Sequence, residues 1–276
     1  MDIHQQHPRS TGLDEFNFFV PECDGFHCIE MKKDERKVSR CNFDFRYSDL
    51  SYNTGLFCFW VGKLDSVRIF NPGTRELIVL PRVKQLHHLR NLSESYLSFY
   101  HECSYTLGYE PEEKKYKVLM TLRVTGESTR NWIFTLGTDK SWREINRVTC
   151  FTPERKLCVC GFIYILDCWH KFIVAFDLKV ENFKLIPMWS GSQHQMGDYE
   201  LIEVKGKLAI WNGSSGFVNL WVLEDPHKEK WQSHIICFPN MRTFGTYQIY
   251  SCCDGEILIF LIRLNDSVTS RSCLLL

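Results

Sequence analysis

Residues 157–189, LCVCGFIYILDCWHKFIVAFDLKVENFKLIPMW, set the pattern against which the rest of the chain is interpreted. Two apolar runs, 161–166 and 172–176, are short and rich in β-branched and aromatic residues. Runs of that length and composition favour buried strands over helices. A polar turn at 179–182 leads to a third strand at 183–186, which Pro187 ends. The segment therefore predicts a hairpin followed by one more strand.

Weaker copies of this unit occur before and after it. The second strand of each copy ends near Phe70, Leu107, Phe134, Phe176 and Trp221, at intervals of roughly 27–45 residues. Propeller blades of four strands run about 40–45 residues. Almost no part of the sequence has a helical period, so the spacing predicts an all-β, propeller-like array of roughly six antiparallel blades. The alternative is a two-sheet β-sandwich. The domain is expected to span residues 16–276, after a disordered leader at 1–15.

Charge and composition narrow the classes of partner. The formal net charge is +0, from 33 basic and 33 acidic residues, so neither nucleic acid nor an anionic membrane is expected to bind. No apolar run approaches the ~18 residues that span a bilayer. The first ten residues are polar and carry no secretory signal, and the 13 cysteines are scattered through strand-like segments. This usage fits reduced thiols and predicts a cytoplasmic or nuclear protein.

Nine short segments, in order, resemble the plant F-box-associated domain of the F-box/kelch-like substrate receptor family. The likeness covers about residues 16–262, and its segments are VRIFNPGTRELIVLP (67–81), LGYEP (107–111), YKVL (116–119), WREI (142–145), GFIY (161–164), VAFDL (174–178), FKLIP (183–187), GKLA (206–209) and LWVL (220–223).

The resemblance implies a non-enzymatic propeller that follows an F-box and selects substrates for SCF ubiquitin ligases. An F-box is a helical segment of about 40–50 residues in this family, whereas only about 15 residues precede the first predicted strand. The expected partner is therefore an unknown target protein, with a Skp1-type adaptor only if an F-box exists elsewhere. A propeller-type enzyme, a glycan-binding module and a truncated non-functional family copy remain the alternatives.

The candidate catalytic and metal motifs are weak. The run Gly213-Ser-Ser-Gly216 lies between two strands and lacks the G-x-S-x-G order, so it is interpreted as a hairpin turn. Cys158 and Cys160, with Cys168 and His170, are separated by one residue rather than the two to four of zinc sites. The sequence therefore predicts no catalytic residue, no metal site and no cofactor.

The last four residues, Cys273-Leu-Leu-Leu276, fit a C-a-a-X prenylation motif. Lipidation of Cys273, and membrane association through it, is one hypothesis. The other is that residues 272–276 form a final strand that pairs with residues 256–262.

Seven tryptophans recur at the ends of predicted strands: Trp132, Trp142, Trp169, Trp189, Trp211, Trp221 and Trp231. Most are expected to fill gaps between blades. One or two are candidates for a partner-binding face, because aromatic residues dominate interface energetics. The sequence does not identify the partner-binding residues.

Overall fold

A computed structural model describes fifteen stretches of the chain, and within residues 51–237 it also describes most of their side chains. The described stretches are 15–22, 25–32, 36–41, 48–61, 67–84, 101–124, 129–148, 155–167, 170–189, 199–214, 217–226, 228–237, 245–251, 257–263 and 271–275. They form 22 strands in six antiparallel sheets. Within the described residues, no helix has the length and hydropathy that crossing a membrane requires.

Each sheet is made of strands that follow one another in sequence. The first sheet has β1 (Glu15–Glu22), β2 (Gly25–Lys32) and β3 (Arg36–Cys41). The second has β4 (Ser48–Asn53), β5 (Leu56–Val61), β6 (Val67–Asn71) and β7 (Glu76–Val79). The third has β8 (His101–Glu110), β9 (Lys115–Val124), β10 (Thr129–Thr135) and β11 (Arg143–Val148). The fourth has β12 (Arg155–Val159), β13 (Phe162–Asp167), β14 (Phe172–Asp177) and β15 (Asn182–Pro187). The fifth has β16 (Tyr199–Val204), β17 (Lys207–Ser214), β18 (Phe217–Asp225) and β19 (Lys230–Cys237). The last has β20 (Gly245–Ser251), β21 (Ile257–Arg263) and β22 (Arg271–Leu275).

The sheets are arranged as propeller blades. The first strands of consecutive sheets contact each other along β4, β8, β12, β16 and β20, so they are innermost. The fourth strands, such as β7, are largely exposed and therefore lie outermost. In each antiparallel sheet, the first and third strands begin at one end of the blade, which we call the loop end, and end at the opposite end, which we call the turn end.

The core lies between neighbouring sheets, because each central sheet buries both of its faces. Along β13, Ile163 and Ile165 pack toward the third sheet, whereas Tyr164 and Leu166 pack toward the fifth. Side chains on a strand alternate between faces, so a strand buried on both sides must be apolar at every position. This requirement explains the continuous apolar runs from which the strands were predicted.

The predicted array of roughly six blades is confirmed, and the two-sheet sandwich is wrong, since six separate sheets form. The charged run at 32–37 predicts an exposed loop, but Lys32 ends β2 and residues 36 and 37 begin β3, while residues 33–35 lie outside the described residues. The leader predicted at 1–15 lies outside the described residues except for Glu15.

Polar side chains of the innermost strands connect one sheet to the next. The backbone N–H of Leu107 donates to Ser51 Oγ at 3.0 Å, and Lys156 Nζ donates to Ser104 Oγ at 2.7 Å. Lys156 also lies 5.5 Å above the Trp60 ring, so it bridges three sheets near the axis. An inner strand pairs on one side only, and these bonds satisfy some of the polar groups that it leaves open.

Tight two-residue turns close the first hairpin of three sheets at the turn end. In Thr54-Gly55, Cys160-Gly161 and Lys205-Gly206, both residues have positive φ. This geometry matches type I′ turns, whose twist suits antiparallel strands and whose second residue favours glycine. Cys160 Sγ also contacts the carbonyl oxygen of Gly206 at 3.3 Å.

Gly161 and Gly55 make a matched pair for a stability measurement. Both adopt φ above +80°, but a Cβ on Gly161 would lie 3.1 Å from Pro111 Cδ, whereas a Cβ on Gly55 would meet nothing within 4 Å. We expect Gly55→Ala to cost about 1 kcal/mol of unfolding free energy through backbone strain, and Gly161→Ala to cost more because the contact adds to the strain. Urea denaturation of both variants measures the difference. Equal losses would show that the Pro111 contact is accommodated freely.

The outer hairpin turns are stabilised in a second way, by side chains that accept hydrogen bonds from their own turns. Asn71 Oδ1 accepts from the backbone N–H of Gly73 and Thr74, and Asp177 Oδ1 accepts from Lys179 and Val180. Three such turns contain a residue of positive φ before the outer strand: Arg75, Glu181 and Glu229. Short polar side chains that cap their own turn favour this geometry. The turn end is therefore fixed by local chemistry in several sheets.

Candidate interaction surface

The structure sorts the tryptophans into two groups. Trp132, Trp142 and Trp211 are buried, and Trp142 Nε1 donates to the carbonyl oxygen of Pro81 at 2.5 Å. These three fill space within or between sheets, as predicted. Trp189, Trp221 and Trp231 are only partly buried. Trp169 lies outside the described residues.

The partly buried tryptophans meet in the cleft between the fourth and fifth sheets. The rings of Trp189 and Trp221 are stacked, with centroids 4.1 Å apart and planes 14° from parallel. Trp231 and Tyr199 each meet Trp189 edge-on at 5.7 Å. The indole of Trp231 donates to the carbonyl oxygen of Pro187 at 3.2 Å, which joins the two sheets. We call Trp189, Tyr199, Trp221 and Trp231 the tryptophan cluster.

The local structure explains why these residues converge. Trp189 directly follows β15, and the Met188 N–H bonds to the carbonyl oxygen of Lys171, which extends the pairing of β14 and β15 to the loop end. Phe217 and Trp221 lie four residues apart on β18, so both side chains point to the same face of the fifth sheet. Phe217 is 38% exposed. It therefore continues the aromatic surface toward solvent.

His170 lies at the loop end of the fourth sheet, in the turn between β13 and β14, and Phe172 beside it packs toward the third sheet. Its Nδ1 is 2.9 Å from Oδ2 of Asp167, and its backbone N–H donates to Oδ1 of the same carboxylate at 3.1 Å. Asp167 is fully buried, whereas the His170 side chain is 58% exposed. The imidazole also stacks on Phe172, with centroids 5.7 Å apart. A carboxylate accepts hydrogen bonds, so Nδ1 carries a proton, and in the neutral imidazole Nε2 is left as the acceptor.

An ion pair lies on the axis side of the cluster. Arg155 Nε is 3.2 Å from Glu200 Oε1, and the Arg155 guanidinium also donates to the carbonyl oxygen of Tyr199. Burial raises the pKa of the Glu200 carboxyl, and the charge of Arg155 opposes part of that rise. The cleft between these two sheets thus has aromatic side chains outside and a charged pair inside.

The arrangement suits recognition of a protein. Half-buried aromatic side chains provide apolar area at low entropic cost, and tryptophan and tyrosine are enriched among the residues that dominate binding. His170 adds an oriented hydrogen-bond acceptor. Within the described residues, no group of three or more metal-ligating side chains occurs. The signal in the sequence was the spacing of the tryptophans, but it did not show which of them meet.

The cysteines considered for a metal site lie elsewhere. Cys158 is buried near the turn end of β12, and burial raises the pKa of its thiol to about 11. Cys160 is exposed in the turn that follows, whereas His170 is at the opposite end of β13. The structure therefore does not bring these residues together. Cys168 lies outside the described residues.

The structure also shows where two other candidates from the sequence lie, the Gly213 run and Cys273. Ser214 pairs with Phe217, so residues 215–216 connect β17 and β18, as the hairpin interpretation of the Gly213 run predicted. Cys273 lies in β22, opposite Phe260 of β21. Lipidation of Cys273 stays a prediction, and it would require β22 to release this residue to a transferase.

Comparisons with known proteins agree with the blade arrangement. Residues 14–268 match the family model described as the F-box associated beta propeller domain. Two putative F-box proteins of Arabidopsis thaliana are 32% identical over 187 residues and 29% identical over 230 residues. These alignments cover 65% and 78% of this chain but 44% and 54% of the relatives. The chain thus spans about half the length of the curated relatives that it matches.

Solved structures show the same fold at low sequence identity. The SapL1 lectin, bound to alpha methyl fucoside, is similar with a TM-score of 0.53 and 8% identity, over 95% of this chain and 89% of the lectin. A fungal alcohol oxidase is similar with a TM-score of 0.53 and 9% identity, over 91% of this chain and 58% of the oxidase. At such identity the likeness concerns the fold alone.

Proposed function

Because the chain belongs to the F-box associated β-propeller family, we propose that it is a non-enzymatic domain that recognises the target protein of an SCF ubiquitin ligase. The observation that carries the proposal is the family match over residues 14–268, together with F-box proteins among its relatives. In this role the domain supplies affinity and position, and other subunits transfer ubiquitin. A Skp1-type adaptor would bind the F-box rather than this domain. The complex would act in the cytoplasm or the nucleus.

We assign target binding to the exposed face of the fourth and fifth sheets that carries the tryptophan cluster and Phe217, with His170 at the loop end of the fourth sheet. Its rings are already packed against each other, so a partner meets a preformed aromatic face and little side-chain freedom is lost on binding. His170 is held by Asp167 and Phe172 although it is exposed. An exposed side chain fixed in one orientation favours a directional contact with a partner.

The test compares two exposed loop-end residues with one exposed turn-end residue. We expect the variant His170→Ala/Phe217→Ala to weaken target binding by about tenfold or more, because each truncation removes a contact worth about 1 kcal/mol or more. Proximity labelling with the full chain identifies the target, and titration of the purified target measures its Kd. Val180→Ala, at the turn end and 66% exposed, is the matched control and should bind as the parent does.

Thermal unfolding of all three proteins checks that the fold is kept. The assignment of the surface fails if the double variant, folded as stably as the parent, binds the target with unchanged Kd. Loss of binding in Val180→Ala alone would move the target site to the turn end.

A further inference from the structure

The outer edge of the second sheet is unusually apolar. In β7, Leu77, Ile78 and Val79 are 43%, 37% and 56% exposed, so three consecutive apolar side chains face solvent. Within the described residues, β7 pairs with β6 and with no other strand. Exposed apolar edge strands are templates on which another chain can pair, and most proteins protect them with charge.

Three of the other outer strands carry polar or charged side chains among their exposed positions. β11 presents Arg143 and Glu144, and β15 presents Lys184 beside its exposed leucine. β19 presents Gln232 and His234 among exposed positions. β7 differs from these strands because its central residues have no polar side chain.

The register of β7 shows which backbone groups are open. Leu80 N–H donates to the carbonyl oxygen of Val67 at 2.8 Å, so residue 80 directs its backbone groups toward β6. Alternate residues of an antiparallel strand direct these groups to opposite sides, so Ile78 also bonds to β6. Leu77 and Val79 therefore direct their N–H and C=O groups outward, which provides two donors and two acceptors for a further strand.

The charge around this edge favours an acidic partner. Residues 67–84 contain one acidic side chain, Glu76, whose Oε2 accepts from the Thr74 hydroxyl at 3.0 Å. They contain four basic side chains: Arg68, Arg75, Arg82 and Lys84. The segment therefore has a net charge of +3, whereas the formal net charge of the chain is +0. Opposite charge at the rim of an interface favours encounter and fixes register.

We propose that β7 is a docking strand, to which an extended segment of a partner protein, apolar and acidic in alternation, adds as a fifth strand of the second sheet. The inference rests on the proposed role of the chain as a protein-interaction domain and adds a second binding surface to that domain. Backbone hydrogen bonds to Leu77 and Val79 supply affinity, and apolar contacts with the β7 side chains supply register. Arg75 and Lys84, both exposed near the strand, favour the acidic partner.

A backbone-specific substitution tests the proposal. Val79→Pro removes an N–H that β6 does not use, so the sheet is retained, since proline is tolerated on an edge strand whose N–H faces solvent. Val79→Ala shortens the same side chain and keeps the N–H. The probe is an eight-residue peptide in which valine alternates with glutamate, labelled for fluorescence anisotropy. Its control is the same peptide with lysine in place of glutamate.

We expect the glutamate peptide to bind the parent chain and to protect the amides of Leu77 and Val79 from hydrogen exchange. Val79→Pro should bind it about tenfold more weakly than Val79→Ala, since an unmade hydrogen bond costs up to that factor. Equal binding by these two variants, equal binding of the lysine peptide, or no protection at the two amides would each overturn the proposal. Self-association of the chain through β7, seen by sedimentation, would also overturn it in favour of a second copy.

The two proposed binding surfaces can be disproved independently of each other. If the target of the tryptophan cluster binds Val79→Pro normally and the peptide does not bind the parent chain, the docking strand is wrong and the proposed function stands. If the peptide binds as expected and His170→Ala/Phe217→Ala retains its target, the assignment of the loop-end surface is wrong instead.

Discussion

Glu181→Gln should lower the free energy of unfolding by about 3 kcal/mol, the largest loss that we expect from removing one charge. Lys117 Nζ, on an almost fully buried side chain, donates to Glu181 Oε1 at 2.9 Å and to the carbonyl oxygen of Leu178 at 2.6 Å. Arg143 also binds both oxygens of Glu181, at 2.8 and 2.9 Å. With a neutral amide at position 181, the buried ammonium of Lys117 loses its counter-charge.

Glu229→Gln is the matched control for this measurement. Glu229 occupies the corresponding position in the outer turn of the fifth sheet and has the same φ of 54°. Its carboxylate lies 3.9 Å from Lys184 Nζ, and both side chains are exposed. An exposed pair is worth at most about 1 kcal/mol, so the control should lose less than about 0.5 kcal/mol. Chemical denaturation at pH 7 compares the two, and equal losses would contradict the role given to Lys117.

The same carboxylate makes stability depend on pH. Hydrogen bonding from Arg143, opposed by burial and reinforced by Lys117, lowers the pKa of Glu181 to about 2 from an ordinary value near 4.5. The group therefore contributes its full stabilisation above about pH 4.5 and loses it as the pH falls toward 2. We expect the stability difference between the parent chain and Glu181→Gln to shrink across that interval.

Gly108→Val should destabilise the chain by about 3 kcal/mol through overpacking between the third and fourth sheets. A Cβ on Gly108 would lie 2.6 Å from Leu178 Cδ1 and 3.1 Å from Ile163 Cδ1, and both neighbours are fully buried. Gly108 pairs with Lys117 across β8 and β9, so the missing side chain leaves room for Leu178, whose carbonyl oxygen Lys117 binds.

Leu178→Ala provides the internal control for Gly108→Val. Leu178→Ala alone should cost about 2–5 kcal/mol because it leaves a cavity. In the double variant the valine methyl groups occupy that space, so the combined loss should be smaller than the sum of the two single losses. Additive losses, measured by denaturant midpoints, would show that the clash with Leu178 is not the cause.

The strands that were clearest in the sequence are buried on both faces. β13 and β14 are apolar at nearly every position because they contact two neighbouring sheets, and this pattern is visible in the sequence. Two of the innermost strands, β4 and β12, do not stand out in the sequence because they use polar residues. Ser51 in β4 and Lys156 in β12 bond to β8 instead of packing, so neither strand shows a clear apolar period.

The sequence pattern could not predict contacts between residues that are far apart in the chain. Lys117 and Glu181 are 64 positions apart, and each resembles a solvated charge in its own segment. The tryptophan cluster likewise joins residues of two sheets, and their spacing could not show that Trp189 stacks on Trp221. The pattern of one strand indicates its burial, but partners across two sheets depend on how the blades are tilted.

The difference between the two ends of the blades bears on how such propellers can diversify. At the turn end, positive-φ residues and self-capping side chains leave few substitutions that the backbone tolerates. Among the described loop-end residues, Lys171 has positive φ and Asp167 caps its own turn, so fewer positions are constrained there than at the turn end. New specificities should therefore arise by exchange of loop-end residues on an unchanged frame. A library restricted to that end should yield more folded variants, and more altered targets, than one restricted to the other.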